Sequence, residues 1–252
     1  MLHKVYIKQL IMMIFSLFIT FFPVLAFPLI HQKHYLVRKD KRAIRVSSNL
    51  YSAINYNSAT EDLLGTLFDK FPRTDLVDNN KSSQLTGLWL TVASSLSTLN
   101  TVSPLRYLAP AFNISESLFV DIKNAYQRID IEAGTYDNIV DLQIVDSCDS
   151  VQIITKGNCK IHCKTDNKSD CNRLYVNFYE VEIKASDPIL EEKLRNHCPK
   201  NDQELIKPIA LSGWSDVSLF QAGDQCWRIM RGNAGHYYLL TRISTSATML
   251  SE

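Results

Sequence analysis

Two hydrophobic rhythms divide the chain. From Glu61 to Phe71, residues Leu63, Leu64, Leu67 and Phe68 fall on one face of a 3.6-residue period, which predicts a short helix. From Ser83 to Leu99, residues Leu85, Trp89, Val92, Leu96 and Leu99 recur at steps of four, three, four and three. Leu88 thickens that stripe while Ser and Thr fill the opposite face, so a second helix is expected. Asn113-x-x-Glu116 has the spacing of a capping box. The run it opens places Leu118, Ile122, Ala125, Tyr126 and Ile129 together and should stop near Gly134. Residues 43–137 therefore read as a helical region.

After about residue 138 the period becomes two. Asp141–Val145, Val151–Thr155 and Leu174–Ile183 read as strands, with Lys156-Gly157-Asn158 as a turn. Asp187-Pro188 has the chemistry of a helix start, with Lys193, Arg195 and His197 complementing the far end. Cys226–Met230 and His236–Ile243 flank Arg231–Gly235 and predict a terminal hairpin. The expected fold is α+β: a helical N-terminal part packed on a disulfide-tied, mainly antiparallel C-terminal sheet spanning 138–252.

The first 42 residues change the picture from a plain globular chain to an exported one. Lys4 and Lys8 precede an uncharged run from Leu10 to Leu25, and Val24-Leu25-Ala26 suits signal peptidase, giving a signal peptide over 1–26. An uncleaved anchor over Gln9–Ile30 is the competing reading, and Pro23 and the Val-x-Ala site favour cleavage. Residues 27–42 end in a basic cluster closing on Lys41-Arg42, a site for a dibasic-specific convertase, and so read as a pro-peptide. The mature chain would begin at Ala43. It carries 20 basic and 25 acidic residues, a net charge of −5, which argues against nucleic-acid binding through a broad basic surface.

Cysteine usage agrees with export. Cys148, Cys159, Cys163, Cys171, Cys198 and Cys226 all lie in the last 105 residues, and an even count predicts three disulfides of undetermined pairing. Cys159, His162, Cys163 and Cys171 have zinc-type ligand chemistry. In an oxidising compartment such thiols pair instead, and no metal is expected. Asn80, Asn113 and Asn167 head Asn-x-Ser sequons for glycosylation.

Catalytic motifs are missing: there is no nucleophile elbow, phosphate loop, zinc-protease helix or dinucleotide fingerprint. Ser212-Gly213-Trp214-Ser215 reads as a turn. The mature chain holds three histidines, His162, His197 and His236. Two imidazoles and a cation can cleave RNA by general acid–base chemistry, and His236, with Arg228 and Arg231 close in the hairpin, is the weak candidate. The layout of signal, pro-segment, basic pair and cysteine-bearing product resembles that of preprotoxins and hormone precursors, and it carries no active-site residue across. The leading expectation is a secreted, matured, non-enzymatic glycoprotein that needs no cofactor and binds an extracellular protein or cell-surface target. A histidine-dependent ribonuclease-like hydrolase is one alternative. A membrane-active toxin inserting the helix 83–105 is the other.

Overall fold

The computed structural model describes residues 58–95, 102–115, 117–145, 147, 149–163 and 171–246. The signal peptide, the pro-peptide and the processing residues Ala26, Lys41 and Arg42 lie outside them. The elements in chain order are α1 (Ser58–Lys70), α2 (Asn79–Ser82), β1 (Gly87–Ser94), β2 (Val102–Pro104), α3 (Leu105–Leu108), β3 (Phe119–Asp130), β4 (Thr135–Ile144) and β5 (Ser150–His162). They continue with β6 (Arg173–Ala185), α4 (Pro188–His197), β7 (Ile206–Ala222), β8 (Gln225–Gly232) and β9 (Tyr237–Ser244).

All strand pairings are antiparallel. Strands β3 to β9 follow one another as a meander, and β1 pairs with β9 on one side and β3 on the other. That double pairing closes eight strands into an up-and-down barrel, while the short β2 takes over the edge of β3 where β1 leaves it. Closure removes the unpaired edges that an open sheet would expose. One end, the base, carries the start of β1 and the β3–β4, β5–β6 and β7–β8 connections. The other end, the mouth, is covered by the β1–β3 connection and by α4. From these, Leu105, Leu108, Phe112, Leu190 and Leu194 are buried in the main core.

The α+β expectation, a helical N-terminal part on a sheet, is thus corrected to one large antiparallel sheet with four short helices among the described residues. Of the three amphipathic helices expected in 43–137, the short one at Glu61–Phe71 is the one found among the described residues. Leu64, Leu67 and Phe68 on α1 pack with Ala93, Ile229 and Leu239 on the outer face of β1, β8 and β9. The other two segments are strands β1 and β3, and bulges explain why they look helical. In β3 a register shift between Ile122 and Asn124 turns the inward series into Val120, Ile122, Ala125, Gln127, Ile129, which mimics helical spacing. In β1 two such shifts, together with burial of the consecutive Leu88 and Trp89, erase the alternation of a one-sided strand.

The period-two expectations fare better. The strands at 141–145, 151–155 and 174–183, the terminal hairpin and the helix at Asp187 are all present. The Asp187 carboxylate accepts from Ile189 N and Leu190 N at 2.9 Å each, and these amides hold its pKa below the usual range. Lys156–Asn158 is not a turn but the middle of β5. A Cβ on Gly157 would stand 2.9 Å from the Phe178 ring, so the glycine marks a close strand approach. Likewise Ser212–Ser215 lies within β7.

The outer wall carries cross-strand ion pairs: Arg128 with Asp137 at 2.8 Å, Lys156 with Glu180 at 2.8 Å and Glu182 at 2.9 Å, and Arg173 with Asp216 at 2.8 Å. Apolar inside and charged outside is the reverse of a transmembrane barrel. No described helix is long and apolar enough to cross a membrane.

Candidate functional site inside the barrel

The barrel is dense at its base. The Trp89 side chain points inward, its indole nitrogen donates to Leu85 O at 2.8 Å, and two guanidiniums approach the ring. Arg228 is 4.7 Å from the ring centroid and Arg242 is 5.7 Å from it. Arg242 also donates to Gln84 O at 3.0 Å, closing the floor.

Above this floor the strands run out of bulk. Thr91, Ala125, Gly213, Ser215 and Gly232 supply only small groups from β1, β3, β7 and β8, and a cavity of about 70 Å³ results. At roughly 10–15 Å³ per water-sized position, that is room for about five to seven non-hydrogen atoms. Val176, Phe178 and Met230 form an apolar part of its wall, and Gln127, Tyr136, Asn138 and Tyr238 a polar part. Burial pushes the Tyr136 and Tyr238 phenols upward, so both stay protonated.

Several buried polar atoms in this interior have no hydrogen-bond partner among the described residues: Thr91 Oγ1, Thr155 Oγ1 and Arg228 Nε. Such atoms in a native core call for an explanation, and a bound molecule is one. Arg228 is fully buried and donates through Nη2 to Gln127 Oε1. Burial lowers its pKa to about 10, with Tyr136 and Cys226 opposing that shift. Among the described residues no carboxylate pairs with it.

The three histidines do not meet at one end of the barrel. His162 is exposed at the base end of β5, while His197 and His236 belong to the mouth, so a joint acid–base site of all three is not formed. Arg228 and Arg231 point to opposite faces of β8. Arg228 is inside the barrel, whereas Arg231 is exposed beside the Tyr237 ring at 5.7 Å, and the two cannot share an anion next to His236. The membrane-active helix 83–105 is also lost, because its centre is β1 and Trp89 is core.

Of the three expected disulfides, the described residues hold one, Cys163–Cys171, which clips the β5–β6 connection at the base. Its formation withdraws two sulfurs from the zinc-type set of Cys159, His162, Cys163 and Cys171. Among the described residues Cys159, Cys198 and Cys226 have no disulfide partner, and Cys148 lies outside them. Cys159 and Cys226 face inward on strands that are not neighbours, and Cys198 ends α4 at the mouth, so the fold keeps these three apart. Burial raises the Cys159 pKa to about 11 and shifts Cys198 and Cys226 the same way.

The sequon asparagines Asn80 and Asn113 are exposed, and Asn167 lies outside the described residues. Asn113 does not cap a helix. At φ 50° it turns the chain after the 3₁₀ turn Pro110–Phe112.

Sequence reasoning missed the cavity and set Arg228 beside His236 rather than inside the barrel. One signal was present: Arg228 interrupts the inward side of the expected strand Cys226–Met230, where an apolar residue belongs. The small inward residues come from four strands far apart in sequence, and only the register aligns them. No protein-family model matches the chain, and no curated protein aligns with it significantly.

Proposed function

We propose that this protein is a secreted, non-enzymatic binding protein that encloses one small ligand inside its barrel. The observation that carries this reading is the interior cavity, ringed by small residues and adjoined by buried hydroxyls without partners. Eight-stranded barrels have an interior that is either filled by side chains or holds one small ligand, as in lipocalins and streptavidin. That comparison is an analogy of architecture. A mostly apolar recess with a few fixed polar groups is the usual form of a small-molecule site. Export, cleavage after Ala26 and after Arg42, and glycan attachment at exposed Asn80 and Asn113 belong to the same proposal.

The test is to express the full chain in a secreting cell, purify the released protein and analyse what denaturation liberates from it by mass spectrometry. The expected result is a stoichiometric small molecule and an N-terminus at Ala43. A folded Ala125→Leu variant, whose larger side chain fills the cavity, should carry none. Equal loading of the variant and the wild type would place the ligand elsewhere and overturn the reading.

A further inference from the structure

We propose that the occupant of the barrel is a small monoanion, in chemical class a short-chain carboxylate, held with its acidic group toward Arg228. The inference rests on reading the cavity as a ligand site and adds the charge and shape of the ligand.

Charge comes first. By strand register, none of the inward positions of the eight barrel strands is Asp or Glu. Besides Arg228 and Arg242, the inward series includes Lys207 near the mouth, and Lys207 is paired with Asp202. Arg242 reaches the backbone of Gln84 at the floor. Among the described residues Arg228 has a neutral amide and the Trp89 ring as its neighbours, and its Nε has no partner. A buried charge without a counter-charge is costly, and an anion brought into the same interior relieves that cost.

Hydrogen bonding points the same way. Gln127 gives its amide oxygen to Arg228, so the group it has left to offer is its NH₂ donor. Tyr136, kept protonated by burial, and Thr91, with an unpartnered hydroxyl, are the other donors on the wall. Arg228 does not itself line the cavity and donates to Gln127 on its wall. Donors backed by a cation suit an oxyanion, while Val176, Phe178 and Met230 suit a short alkyl chain.

The experiment is calorimetric titration of the secreted full chain, freed of any endogenous ligand, with butyrate, butyramide and 1-butanol. Butyrate should bind roughly ten- to a hundredfold more tightly than butyramide, the range for a hydrogen bond to a charged group. Arg228→Lys should keep that preference and Arg228→Met should abolish it. If Arg228→Met does not fold, the wild-type comparison still decides. Equal binding of butyrate and butyramide, or preference for the alcohol, overturns the anion inference and leaves the cavity reading intact. Failure of all three probes to bind overturns both.

Discussion

The base of the barrel and its middle are built from the same strands, yet they obey opposite packing rules. At the base, Trp89 is fully buried, hydrogen-bonded through its indole and approached by Arg228 and Arg242. Two residues further along β1, Thr91 faces a cavity and has no partner for its hydroxyl. The base therefore resembles an ordinary core, where every atom contributes contact energy, and the middle gives up that energy to keep a space. A chain that separates the two by level can hold a hollow site without losing its closure. Arg228 joins the levels, with its guanidinium against the Trp89 ring and its hydrogen bond to Gln127 on the cavity wall.

The largest effect should come from breaking the base. Trp89→Ala removes the biggest fully buried side chain and should cost about 3–5 kcal/mol, enough to unfold much of the population. Equilibrium urea denaturation measures it, and a loss under 1 kcal/mol would show that the base is not the stabilising level. Next in size is the disulfide. Replacing Cys163 and Cys171 by Ser frees a short connection at the base and should cost roughly 2–3 kcal/mol on the loop-entropy account. Reductant should then have no further effect on the denaturation midpoint.

The middle should answer differently. In a filled core, an added side chain typically costs 1–3 kcal/mol through overpacking. Ala125→Leu grows into existing space, so its stability should stay within about 1 kcal/mol of wild type while ligand binding disappears. A larger loss, measured in the same urea series, would mean the cavity is too shallow to accept the side chain and would erase the contrast between levels.

How much of this was legible in the sequence depended on whether a strand had one wet face and an unbroken register. Along most of β6, inward residues such as Leu174 and Val176 alternate with outward Tyr175 and Asn177, and period two was visible. Strand β1 is buried inside by the barrel and outside by α1, and β3 carries a bulge, so both imitated a helix. Turn chemistry at Arg231–Gly235 and cap chemistry at Asp187 are local and were read correctly. The cavity is not local. Thr91, Ala125, Gly213 and Gly232 become neighbours only through barrel closure, and no spacing between them carries that information.

The smallest expected effect is also the sharpest probe of the boundary between the levels. Thr91→Val keeps the size and β-branching of the side chain and deletes only the hydroxyl. In a packed core, where that hydroxyl has a protein partner, the change leaves the partner unsatisfied and costs about 1–3 kcal/mol. Here Thr91 Oγ1 has no such partner, and its burial is already a cost in the ligand-free protein. Thr91→Val should therefore match the wild type or exceed it by up to about 1 kcal/mol in urea denaturation without ligand. With butyrate present the order should reverse, because the wild type, with all its donors, binds more tightly and gains more of the stabilisation that binding confers. A variant destabilised in both conditions would show that Thr91 belongs to the packed base. A variant unaffected in both would remove the hydroxyl from the site and leave Tyr136 and Gln127 as the donors that face the ligand.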